Sequence, residues 1–214
     1  MTIELTNCPN CSIKLKTGIL SNTSLLSDEK TNIINEYHDK KSIAYCTKCG
    51  TGLYNKYESQ LLEERKSTSQ LIQKLIDAVP VISTHLPLNW DYDILSMVTG
   101  QSTTGTGVIS ELTSSFTDLF GVQSGRYNSK LKNGEDICFA QLRKKALDLG
   151  GNAVIATDID YSEVGVAKGM LMVCMGGTAI KLKNITILGQ ERADKIKELS
   201  ILNERMKVLN TFKI

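Results

Sequence analysis

The chain has 214 residues, of which 41% are hydrophobic and 22% charged, and its 25 basic and 23 acidic side chains leave a net charge of +2. This length suits one ordinary domain with a small appendage, and the composition is that of a globular chain rather than a disordered one. So small a charge gives no argument for nucleic acid or an anionic membrane as partner.

Met1 to Asn7 lack the basic and apolar regions of a signal peptide, and no apolar run approaches the roughly 20 residues that span a bilayer. A cytoplasmic location with no membrane is expected. Asn22 and Asn184 match the glycosylation acceptor pattern, by chance on this reading. Six cysteines, four of them in Cys-x-x-Cys pairs, fit metal ligation in a reducing compartment better than a disulfide framework.

Residues 1–53 hold Cys8-Pro9-Asn10-Cys11 and Cys46-Thr47-Lys48-Cys49-Gly50. Each pair sets two thiolates on one tight turn, and Cys8, Cys11, Cys46 and Cys49 together supply the four soft ligands of a tetrahedral zinc site. The pattern is zinc-ribbon-like, except that 34 residues separate Cys11 from Cys46, against the usual ~15–20. Doubling a loop costs only about 0.6 kcal/mol, whereas a structural zinc site in a finger peptide contributes roughly 10–16 kcal/mol. The long gap is therefore compatible with a site. Iron in place of zinc, or unmetallated redox-active thiols, are the alternatives.

Inside the gap, Ser27 before Asp28-Glu29 marks a helix start, with Ile33, Ile34 and Tyr37 as its apolar edge. His38 lies in this helix and, with four thiolates already present, reads as a surface residue and not a ligand. Residues 54–78 lack proline and glycine and read as a helical linker. Its ends dock on the flanking modules, and Arg65-Lys66-Ser67-Thr68-Ser69 lies in water between them.

The main domain, 79–183, opens with an edge strand from Val79 to Thr84, because Pro80 cannot donate a ladder bond. A loop through His85 leads to a strand from Tyr92 to Thr99. Gly100 and Gly105 then have the spacing of a phosphate loop, but Thr106 stands where its lysine belongs, so the segment reads as a strand-to-helix turn. Val108, Ile109, Leu112, Phe116, Leu119 and Phe120 form the stripe of one helix. A loop from Gly121 to Gly134 precedes a second helix from Glu135, striped by Cys138, Leu142, Ala146 and Leu149.

Gly150-Gly151 ends that helix, since glycine accepts positive φ. Alternation from Ala153 through Ile155, Ile159 and Tyr161 gives a strand, and Met170 to Leu182 gives another. Eight residues, 162–169, join them, which suits an antiparallel return better than a crossover of about a dozen or more.

This order of strand, strand, helix, glycine-containing turn with Tyr127, helix, Leu149-Gly150-Gly151-Asn152-Ala153-Val154 and finally Gly177-Thr178-Ala179 resembles the YbjQ-like family over roughly residues 79–183. Gly151 stands where that family often has alanine. The resemblance implies an α+β domain with an antiparallel sheet and two helices. It also implies a ring-shaped homo-oligomer, a pentamer, in a family described as heavy-metal-binding. The remaining residues, 184–214, form an amphipathic helix with Ile196, Leu199, Leu202, Met206 and Leu209 on one face.

Met170, Met172 and Cys174 share a strand face and could hold a soft ion, although methionine and free cysteine are more often core. Asp158 and Asp160, near Glu163, could hold a hard cation or stand in solvent. Neither His38 nor His85 belongs to a nucleophile or metallohydrolase motif, and Cys138 falls on a helix's apolar stripe, so no enzyme is expected. The leading expectation is a homo-oligomeric scaffold that displays a Cys₄ zinc module to a protein partner. Metal handling by the ring itself is the alternative, and nucleic-acid binding through the ribbon is disfavoured because few aromatics accompany its lysines.

Overall fold

The computed structural model describes residues 5–16, 23–104, 126–164 and 170–214. Its helices are α1 (Asp28–Tyr37), α2 (Thr47–Leu75), α3 (Arg126–Asp148) and α4 (Gln190–Thr211), and its strands are β1 (Tyr92–Thr104), β2 (Ala153–Val164) and β3 (Met170–Leu182). The chain divides into two compact units, one formed by Met1–Leu71 with Glu204–Ile214 and the other by Ile72–Asn203. The helix expected over residues 108–120 lies outside the described residues.

In the second unit the sheet order is β1-β3-β2, antiparallel throughout. The β2–β3 pairing is the hairpin that the residue spacing predicts. Val98, Val154, Val173, Met175 and Ala179 from one sheet face bury against Cys138, Leu142 and Ala146 of α3. Gly150, at φ 80°, ends α3. The N–H groups of Gly150 and Gly151 return to the carbonyls of Leu147 and Ala146, closing the last turn as a Schellman motif. Asn152, 3% exposed, then fixes the start of the hairpin. Its side chain accepts from Leu182 N–H at 2.7 Å and donates to Leu182 C=O at 2.9 Å.

Four local details differ from expectation. Strand β1 continues through Gly100 to Thr104, and a Cβ on Gly100 would meet the Cys138 carbonyl at 2.6 Å. A glycine there reflects close approach of strand and helix, not a turn. Helix α3 begins at Arg126, before Glu135, because Gly134 lies inside it facing Val173 Cγ2, 2.9 Å from where a Cβ would stand. Glycine costs an exposed helix about 1 kcal/mol, and here it allows the helix to seat on β3.

Residues 79–84 form no full strand. They make a single parallel bridge, Val81 to Val154, supported by Ile82 N–H on the Val154 carbonyl and Val154 N–H on that of Pro80. Strand β2 carries a bulge between Ile155 and Asp158, with Ala156 at φ 52°. The extra residue places Val154 in the core facing α3, so β2's alternation is not continuous.

In the first unit, Ser27 caps α1 by accepting from Lys30 N–H. Ile33, Ile34, Tyr45, Tyr57, Leu61 and Leu209 form a buried cluster, with Cys49, Leu53, Tyr54 and Phe212 packed against it. Residues 54–71 belong to this compact unit, although the sequence suggests a linker. The middle of that stretch is only partly in water, with Lys66 and Ser67 exposed. Thr68 is buried, and Arg65 donates to the carbonyls of Leu209 at 2.6 Å and Phe212 at 2.6 Å, capping the end of α4.

From α4, Arg205 grips Glu64 through two nitrogens at 2.7 and 3.0 Å and also pairs with Glu36. Tyr37 donates to Glu64 at 2.7 Å. The Arg205 hydrogen bonds hold the Glu64 carboxyl below the usual glutamate range. A depressed carboxyl contributes stability that is present above its unfolded value, about pH 4.3, and lost as pH falls through the folded value. We expect Glu64→Gln to cost about 1 kcal/mol at neutral pH and to flatten the acid limb of stability, measured by urea unfolding between pH 7 and 3. An unchanged acid limb contradicts this assignment.

Candidate metal centre

The two cysteine pairs reach one point from different supports. Cys46 immediately precedes α2 and Cys49 lies in its first turn. That start is anchored locally by Leu26 N–H on the Tyr45 carbonyl, by Thr47 N–H on Ser24, and by a bridge from Leu25 to Cys46. Gly50 lets Leu26 lie against the helix, since a Cβ there would meet Leu26 Cδ1 at 2.5 Å. Cys8 and Cys11 sit on a tight turn in which Ser12, at φ 59°, donates its N–H to the Cys8 carbonyl. Cys8 N–H returns to Ile13, and Asn7 bridges Lys14.

All four sulfurs lie within 4.8 Å of one another. Cys8 to Cys49 is 3.7 Å, and Cys11 to Cys46 and Cys46 to Cys49 are each 3.6 Å. Sulfurs arranged tetrahedrally at ~2.3 Å from a zinc ion would be about 3.8 Å apart. The spacing therefore fits a tetrahedral ion, and none of the six cysteines is in a disulfide. Among the described residues this is the one group of three or more Cys, His, Asp or Glu side chains gathered so closely.

The electrostatics suit thiolates. Four thiolates around a divalent ion leave two net negative charges, and here they stand at the positive end of a 29-residue helix with no acidic residue in its first turn. Burial pushes the Cys8 thiol up, but backbone N–H groups of Cys11, Asn10 and Cys46 outweigh it and bring it down to about 6. Cys11 is lowered by Ile13 N–H, yet desolvation and the neighbouring cysteines leave it pushed up to about 12. Cys49 is raised by burial, against a hydrogen bond from Asn10 Nδ2 at 3.5 Å. Once one thiol of the cluster ionises, the others resist, and a cation would relieve that resistance.

Asn10 is the residue that motif reading passes over. Its signal is only its place between the cysteines of the first pair.

The other candidates land elsewhere. His38 bonds Tyr57 OH at 3.1 Å and is not in the cluster. His85 is exposed. Cys138 is buried against the sheet, with its thiol on the Val173 carbonyl at 3.4 Å. Cys174 stands opposite Asp160, Met172 opposite Ser162 and Asp158 opposite Gly176. Asp158 and Asp160 are exposed, and Met172 and Cys174 half-buried, on the sheet face away from α3. Met170 and Glu163 lie in the strands, and among the described residues Asp158, Asp160 and Cys174 are not part of the gathered donors. No described helix is long and apolar enough to cross a membrane.

Fold and site together define an α+β chain with a three-stranded antiparallel sheet in one compact unit and a tetrathiol cluster in the other. The chain belongs to the YbjQ-like family, described as "Putative heavy-metal-binding", whose model matches residues 82–183. A UPF0145 protein of Anoxybacillus flavithermus is 39% identical over 89 residues, 42% of this chain and 83% of that protein. A crystal structure of a protein of unknown function, assigned to the DUF74 family, from Pediococcus pentosaceus aligns at 18% identity and a TM-score of 0.32. That alignment covers 48% of this chain and 96% of the other. The cysteine cluster, at residues 8–49, lies outside the matched region.

Thiols that must lose protons to bind make metal affinity depend on pH. Because Cys11 and Cys49 are raised, affinity for Zn²⁺ should climb as pH rises from 6 to 8, by about ten-fold or more per unit. Competition titration against a chelator of known pH dependence measures this, and a flat profile contradicts thiol ligation.

Proposed function

We propose that this protein is a non-enzymatic zinc-binding protein in which Cys8, Cys11, Cys46 and Cys49 hold one zinc ion per chain. The observation that carries the reading is the set of sulfur separations of 3.6–3.7 Å. Zinc satisfies a closed tetrahedral thiolate set without redox chemistry, as expected of a Cys₄ site.

On this reading the chains assemble as a cytoplasmic homo-oligomer, a pentamer, and display their metal modules together to a protein partner. Membership of the YbjQ-like family supports the assembly, and so does exposed apolar surface in its region, with Ile94 70% and Met97 72% exposed. Ile43, 77% exposed in the metal module, offers an apolar contact for a partner. Several modules on one assembly would gain avidity from their effective concentration.

Elemental analysis together with native mass spectrometry of the purified protein tests the reading. The expected result is a closed pentamer with one zinc per chain, unchanged by Asp158→Asn with Asp160→Asn and lost on Cys46→Ser with Cys49→Ser. A monomer contradicts the assembly. Metal that survives loss of Cys46 and Cys49 contradicts the assigned ligands and moves the chemistry to the family domain.

A further inference from the structure

The two halves of the cysteine cluster are held in place by unequal means. Cys46 and Cys49 are built into the start of α2, next to Tyr45, which is fully buried and donates its hydroxyl to Asn35 Oδ1 at 2.9 Å. That region packs with Ile33, Ile34, Tyr57, Leu61 and Leu209, and Arg65 and Arg205 add charged hydrogen bonds to it. None of those contacts requires a metal.

Among the described residues, 5–16 show no such support. Cys8 is their only buried side chain, and none of them belongs to a hydrophobic cluster of the described residues. Their described ties are backbone pairs within the turn, the pairing of Lys16 with Thr23, the Asn10 contact with Cys49, and the sulfur cluster itself. A short hairpin without a buried face is marginal in water. Hydrogen bonds of this kind do not offset the entropy of ordering the chain.

We infer that the metal centre is an exchangeable site: one rigid pair of thiols, Cys46 and Cys49, and one releasable pair, Cys8 and Cys11, in a protein that stays folded without metal. The inference rests on the zinc-binding reading and deepens it. Where a structural zinc site folds its domain only when loaded, here the ion orders a single turn. Metal loss therefore opens the Cys8–Cys11 turn and leaves the α1–α2–α4 core in place. The protein then remains competent to take up another thiophilic divalent ion or to pass one on by thiolate exchange. The ligand class is Zn²⁺ or a comparably soft divalent cation.

Hydrogen–deuterium exchange on the full-length protein, zinc-loaded and then stripped with EDTA, tests this. The expected result is that amides of residues 5–16 lose protection by about ten-fold or more. Amides of 28–37, 47–71 and 204–211 should keep theirs, and helical circular dichroism should be unchanged. Restoring one equivalent of Zn²⁺ restores the protection. A Cys8→Ser, Cys11→Ser double variant should match the stripped wild type across the core.

Loss of protection across α1, α2 and 204–211 on stripping, or in that variant, would make the ion a staple for the whole unit and overturn the inference. Undiminished protection of residues 5–16 would do the same. If the wild type binds no zinc before stripping, the zinc-binding reading itself fails, and this outcome is read from metal content before any exchange is measured.

Discussion

Six side chains drawn from residues 33 to 209 meet in one buried cluster, and the placement of the metal centre depends on it. Tyr45 is fully buried there and is followed directly by Cys46, so the cluster fixes where α2 begins and hence where two of the four thiols stand. Leu209 and Phe212 arrive from the far end of the chain to complete it. Burying a large apolar side chain contributes roughly 1.5–3 kcal/mol, so a cluster of this size has substance without any ion. The module is therefore more than the first 53 residues, because it draws in the following helix and the last turns of α4.

The same arrangement sets the electrostatics. A helix start offers unsatisfied N–H groups and a positive dipole end, and the cluster aims both at sulfur. The Cys8 thiol, held down by backbone N–H groups, and the Cys11 thiol, held up by desolvation and by its neighbours, describe a set of groups that cannot all ionise alone. A divalent ion would relieve that conflict, and the four thiols are close enough together to hold one. By contrast, Asp158 and Asp160 are exposed on β2, where Asp158 accepts the Ile159 N–H, and Cys174 stands across from Asp160 outside the gathered donors.

Much of this was legible in the residues. Two Cys-x-x-Cys pairs, Ser27 before two acidic residues, and the change of period at Gly150-Gly151 are local signals, and local signals predict turns, caps and hairpins. What escaped was non-local. Arg65 reads as a solvated mid-helix charge until Leu209, 144 positions away, supplies a carbonyl for it. Gly100 and Gly134 read as turn residues because a sequence does not show the helix or strand that presses against them. The bulge at Ala156 breaks the alternation of β2 for a reason that lies in Thr84 and Ile82, whose carbonyls accept the N–H groups of Ala156 and Thr157. Asn10 carries no motif, yet its amide touches the cluster.

X-ray absorption at the zinc K-edge of the loaded protein tests the central claim most directly. The account predicts four sulfur neighbours at about 2.3 Å and no nitrogen or oxygen in the first shell. A shell containing oxygen or nitrogen, or fewer than four sulfurs, would contradict it, because the ion would then lie away from Cys8, Cys11, Cys46 and Cys49.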